Sequence, residues 1–164
     1  MPGTVEGPVP PGLVRPARPK DVEAVVRIFR ESRAEAMPWL PVLHTAEEDR
    51  NWYSARLGGE AWVYELDGRV AGFALLRDDE LDALYVAPAA QRRGVGSALF
   101  RQAQEARPHG FAWWVFRDNA RARRFYESLG GLLLYETDGA GNEEQTPDAR
   151  YEWRPGPSPE AAEA

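Results

Sequence analysis

Gln91-Arg92-Arg93-Gly94-Val95-Gly96 is the stretch on which the reading of this chain turns. It follows the apolar segment Glu80–Val86 and the loop Ala87-Pro88-Ala89-Ala90. It leads into Val95, Ala98, Leu99 and Ala103, whose spacing predicts a helix. The hexapeptide is therefore a turn from strand to helix. Glycine at 94 and 96 lets a backbone come close to a ligand, and a helix start offers N–H groups without intrahelical partners at the positive end of its dipole. Ser97 adds a hydroxyl, and Arg92 and Arg93 add cationic charge. Together these residues suit a pyrophosphate, and they also suit a plain flexible turn. The segment is not a P-loop, because no GK[ST] ending follows, and it lacks the G-x-G-x-x-G of a dinucleotide fingerprint.

Downstream, Phe111–Phe116 (FAWWVF) is apolar without alternation, which predicts a strand buried on both faces with Trp113 and Trp114 in the core. A helix over Asn119–Leu129 would carry Ala122, Phe125, Tyr126 and Leu129 on one stripe. By itself, Asn119 reads as an N-cap and Tyr126 as a core aromatic. Leu132–Glu136 and Arg150–Trp153 close the domain as two strands around a polar loop.

Upstream, Asp67-Gly68 joins Ala61–Glu65 to Arg69–Arg77 as a hairpin, and Asp78-Asp79 makes the next turn. Leu13–Ala17 reads as the first strand. A helix from about Pro19 would bury Val22, Val25, Val26 and Phe29 until Met37-Pro38-Trp39-Leu40-Pro41 breaks it. Thr45 and Glu48 form a capping box for a second helix reaching about Leu57. The order is β-α-α-β-β-β-α-β-α-β-β, an α/β class with a mixed sheet and helices on both faces.

The chain has 164 residues, 43% hydrophobic and 28% charged, which fits one soluble domain over residues 12–154. Proline-rich residues 1–11 and 155–164 are expected to be disordered. A net charge of -6 and a pI of about 5.1 argue against a nucleic-acid backbone binder. The absence of cysteine excludes disulfides, thiolate nucleophiles and cysteine metal sites. With His44 and His109 as the two histidines, no metal site is expected. No apolar run is long enough for a membrane span or a signal peptide, so a cytoplasmic protein without membrane partners is expected.

The hexapeptide, with Asn119, Ala122, Phe125 and Tyr126 in the helix that follows, resembles the GNAT superfamily of acyl-CoA-dependent N-acetyltransferases. Their acyl-CoA motif is [RQ]-x-x-G-x-[GA] after the fourth strand, and the next helix often reads N-x-x-A-x-x-[FL]-Y. The resemblance covers about residues 12–154 and implies a mostly antiparallel mixed sheet and acetyl-CoA as cosubstrate. It implies that the backbone from Gln91 and Arg92 through Arg93, Gly94, Val95, Gly96 and Ser97 holds the pyrophosphate of CoA. Leu84, Tyr85 and Val86 would pair with the pantetheine arm, the N–H near Val86 would polarise the thioester carbonyl, Asn119 would hydrogen-bond the pantetheine or fix the local loop, and Ala122 would border the cofactor. Tyr126 would give a proton to the leaving thiolate. One departure is Leu129-Gly130-Gly131, where the family usually has Leu-Gly-Phe.

Glu80 and Asp82 share a strand face with Leu84 and Val86 and are the candidates for a base. Glu80 stands where some histone-modifying members carry a glutamate base, whereas other members use water chains. The acceptor, a small-molecule or peptide amine, would meet the loops 37–45 and 137–149. Their candidate residues are Trp39, His44, Glu143 and Glu144. Trp52 or Trp62 could serve a homodimer. The alternative to a direct acetyl transfer is a non-catalytic acyl-CoA-binding or sensing module on the same scaffold.

Overall fold

The computed structural model of the chain describes residues 12–156. The expected disorder of residues 1–11 and of the tail from 157 lies outside the described residues, while Pro155 and Gly156 have no regular structure. Strand β1 (Gly12–Pro16) leads through a short 3-10 turn into α1 (Val22–Ala36) and α2 (Ala46–Ser54). The meander β2 (Glu60–Leu66), β3 (Arg69–Arg77) and β4 (Glu80–Val86) follows. Then come α3 (Val95–Ala106), β5 (Phe111–Phe116), α4 (Ala120–Ser128), β6 (Leu132–Glu136) and β7 (Asp148–Trp153). The element order is the one the sequence predicts.

Local signals act as their chemistry requires. Asp67 (φ 53°) and Gly68 (φ 76°) both take positive φ, the requirement of a tight two-residue hairpin. Thr45 accepts from the Glu48 N–H, and the Glu48 carboxylate accepts from the Thr45 N–H, closing the capping box reciprocally.

The sheet runs β1-β2-β3-β4-β5-β7-β6, and every neighbouring pair is antiparallel except β4 and β5. Those two strands are parallel and meet at one rung, Glu80 opposite Ala112. Beyond it they part. The β3–β4 register jumps so that Asp82 has no partner on β3, and a bulge of this kind bends a strand and raises its twist. The result is a V-shaped opening in the middle of the sheet.

Helices α3 and α4 cover one face over Leu99, Phe100, Phe111, Trp113 and Tyr151. Helices α1 and α2 cover the other over Val25, Ile28, Tyr53, Val63 and Phe73. The predicted α1 stripe is shifted by packing: Val25 and Val26 are buried, Val22 and Phe29 are half-buried, and Ile28 joins the core. Because α1 and α2 lie over β2, β3 and β4, the same face of β5 is left open. Trp114, expected in the core, is 47% exposed there and meets Tyr135 edge-on beneath the Arg150 guanidinium. Trp113 alone of the pair is buried.

Leu129-Gly130-Gly131 also finds its explanation in packing. A Cβ at Gly131 would stand 2.9 Å from the Trp113 ring and 2.8 Å from the Tyr126 carbonyl oxygen, so the indole already fills the space a larger residue would enter. Trp62, a candidate for a dimer contact, is half-buried against the core, and Trp52 is exposed with Arg56 stacked 3.7 Å above its ring. No helix among the described residues is long and apolar enough to cross a membrane.

Candidate active site

The parting of β4 and β5 opens a cavity of about 1000 Å³. One side is β4 from Leu81 to Val86, whose edge toward β5 has no strand partner past Glu80. The other side is β5 from Trp113 to Phe116. The floor is the start of α3 and the inner face of α4.

At the start of α3, Arg92 (φ 66°) and Gly94 (φ 80°) both take left-handed conformations that turn the chain into the helix. Gly94 stands at the N-cap with no side-chain cap. Among the described residues, no acceptor reaches the N–H groups from Arg92 to Ser97, and the first intrahelical bond is from Ala98 to the Gly94 carbonyl. Orphan donors at a helix start are the arrangement that favours an anion. Gly96 serves a different purpose from the one its motif suggests: a Cβ there would come within 2.9 Å of the Phe125 ring, so glycine lets α3 lie close to α4. Gln91, Arg92, Gly94, Val95, Gly96 and Ser97 line the cavity and Arg93 does not. Arg121 and Arg124 on α4 also line it, and sequence reasoning missed them because they lie on the polar face of that helix.

Asn119 caps α4, its side-chain oxygen accepting from the Ala122 N–H at 3.2 Å, and both residues line the cavity. Tyr126, 8% exposed, packs against Trp113 and Phe125 with ring centroids 5.0 Å away in each case. Burial, with Tyr85 nearby, pushes its phenol well above the ordinary range. Its hydroxyl has no hydrogen-bond partner among the described residues.

The two candidate bases lie apart. Glu80 sits at the closed end of the V, where Arg150 holds both of its carboxylate oxygens, and it does not line the cavity. Asp82 does line it, with one oxygen accepting from Arg77 Nε at 2.9 Å.

The loops 37–45 and 137–149, expected to meet the acceptor, are tied together. His44 contacts Glu143 at 2.7 Å and Glu48 at 3.3 Å, and these carboxylates, Glu143 first, raise the imidazole above its usual range. Arg33 on α1 donates to Glu144 at 3.3 Å. Glu144 lines the main cavity and a second one of about 560 Å³, which His44 also lines. Trp39 and Glu143 line neither cavity: Trp39 is exposed, and Glu143 is held by His44. Arg33 is the residue missed here, a polar position on α1 that sequence periodicity leaves to solvent. No group of three or more His, Asp or Glu fit to hold a metal occurs among the described residues.

The chain is 30% identical over 122 residues to the peptidyl-lysine N-acetyltransferase YiaC of Escherichia coli K12, covering 72% of this chain and 82% of that protein. Its fold is similar to the solution structure of apo YjaB from Escherichia coli, with a TM-score of 0.73 at 22% identity, covering 87% of this chain and 97% of that one. It is also similar to Salmonella typhimurium YncA, solved with its cofactor acetyl-CoA, with a TM-score of 0.67 at 22% identity over 90% and 98% of the two chains. The acetyltransferase (GNAT) family model matches residues 23–131, and the chain belongs to that family of acetyl-CoA-dependent N-acyltransferases.

Proposed function

We propose that this chain moves an acetyl group from acetyl-CoA directly to an amine that enters from the side of the 37–45 and 137–149 loops. The observation that carries the reading is the run of unpartnered N–H groups from Arg92 to Ser97. It opens onto the same cavity as the unpaired edge of β4 and the free hydroxyl of Tyr126. The pyrophosphate would lie on the start of α3, with Arg124 offering further positive charge while Arg121 is paired with Glu35. The pantetheine arm would add to β4 at Leu84, Tyr85 and Val86 as an extra strand. A β4 N–H near Val86 would then meet the thioester oxygen as negative charge develops on it.

Amine attack forms the C–N bond, the C–S bond breaks, and the amine proton leaves to solvent while the thiolate leaves. Tyr126 is assigned the thiolate. A phenol held well above its ordinary range stays protonated at neutral pH, so it is a donor and never a base. A thiol's reference pKa is about 8.5, so the phenol gives the thiolate a hydrogen bond rather than its proton. Glu80 is left out of the mechanism because Arg150 occupies its carboxylate. Asp82, within the cavity, is the remaining candidate to pass the amine proton through water. YiaC and a YjaB relative carry peptidyl-lysine N-acetyltransferase as their names, which supports an amine as acceptor.

The test is calorimetric titration with acetyl-CoA, followed by a panel of amines with thiol release as the readout. Saturable binding, lost in Gly96→Glu, with thiol release that requires an amine, is the expected result. A folded protein that binds no acetyl-CoA would overturn the proposal.

A further inference from the structure

Four arginines of this protein, Arg15, Arg107, Arg121 and Arg150, are each held by two hydrogen bonds to one carboxylate. Arg33 is not. It is more than three-quarters buried; among the described residues its one ion pair is the 3.3 Å contact from Nη2 to Glu144, and its buried Nε has no partner. A guanidinium presents five donors in a rigid fork, and a buried donor without a partner costs free energy that a ligand's acceptor can recover. The position is as telling as the shortage. Arg33 lies over the Phe29 ring of α1 at 4.9 Å and the Phe116 ring of β5 at 5.6 Å, so it reaches across the open V. Arg33, Met37 and Glu144 line both cavities and so mark their junction.

From this we infer that Arg33 selects an acceptor carrying a carboxylate close to its amine, of the class of a free amino acid. The inference rests on the transfer reading above. The acceptor carboxylate takes the underused fork of Arg33, and its ammonium exchanges with the guanidinium for Glu144. One ion pair thus becomes two without leaving a charge unpaired, which a buried site demands. The amine is directed into the cavity shared with β4. The side chain enters the second cavity, where Phe29, Leu40 and Leu43 give it apolar walls and favour an apolar residue.

The experiment compares thiol release from acetyl-CoA with leucine and phenylalanine against their decarboxylated counterparts, 3-methylbutylamine and 2-phenylethylamine. A lysine peptide blocked at both ends is run alongside. The expected result is a kcat/KM for the acids roughly ten- to a hundredfold above that for the amines, the yield of a charged hydrogen bond. In Arg33→Met the ratio collapses toward one, and in Arg33→Lys it falls part of the way. The ratio in the native protein tests the inference even if a variant fails to fold. Amines or the blocked peptide used as well as the acids would overturn it while leaving the transferase reading standing. A protein that binds acetyl-CoA but turns over none of these acceptors would overturn the inference, and the wider amine panel would then decide the transferase reading.

Discussion

Replacing Tyr126 by Phe separates the chemistry of this site from its packing. The ring is held by Trp113, Phe125 and Phe100, at centroid distances of 5.0, 5.0 and 6.1 Å, and none of these contacts uses the hydroxyl. That hydroxyl has no protein partner among the described residues, so removing it leaves no donor or acceptor stranded. The melting temperature should therefore hold, since Tyr126 lines the cavity and its hydroxyl is not among the buried polar atoms left without a partner. Turnover should respond differently. A hydrogen bond to a charged sulfur contributes about 1.5–3 kcal/mol, and at 1.36 kcal/mol per decade that predicts a fall of roughly ten- to 150-fold in kcat. The thioester sulfur of bound acetyl-CoA is a poor acceptor, so the KM for acetyl-CoA should stay within about twofold. Because burial keeps the phenol protonated, the variant should also keep the native pH profile at lower amplitude. Stopped-flow thiol release between pH 6 and 9, with a melting curve for each protein, makes the measurement. An unchanged kcat refutes the donor role. A fall in kcat matched by a large loss of stability would mean that the hydroxyl is structural.

Glu80→Gln should weaken the contact with Arg150 and lower stability by about 1 kcal/mol in thermal melts, with kcat within twofold of native; a loss of a hundredfold or more with native stability would restore Glu80 as the base. Gly94→Ala places a Cβ in open space at φ 80°, so the strain should lower stability by about 1 kcal/mol. Gly96→Val presses on Phe125 and should cost about 1–3 kcal/mol, and it should weaken acetyl-CoA binding in calorimetry more than Gly94→Ala does. The contact of His44 with Glu143 joins the two acceptor loops, and its raised pKa means the attraction is fully present below about 6.5 and lost as pH climbs through the raised value. The KM for the acceptor should therefore rise on the alkaline side in the native protein and stay flat in His44→Gln, with acetyl-CoA affinity unchanged in both; a parallel rise in the variant would refute the link.

Much of this molecule follows from short-range chemistry. The Asp67-Gly68 hairpin, the Thr45–Glu48 box, the turn at Gly94 and the cap at Asn119 each involve residues within a few positions of one another. Their geometry is dictated by backbone sterics and nearby donors, and the sequence alone determined them along with the element order. The turn from Arg92 to Ser97 belongs to the same class, since its N–H groups are presented by consecutive residues, whereas its expected role toward acetyl-CoA came from the family resemblance. What the tertiary structure decided is everything that depends on how far β4 and β5 stand apart. Their single rung at Glu80 and Ala112 puts Glu80 at the closed end with Arg150, opens the unpaired edge of β4, and uncovers Trp114. The same parting sets Arg33, a polar position on α1, across from Phe116 and beside Glu144, more than a hundred residues away in the chain. Propensity and periodicity describe one element at a time, whereas the spacing between two strands is set by the packing of all the others against them.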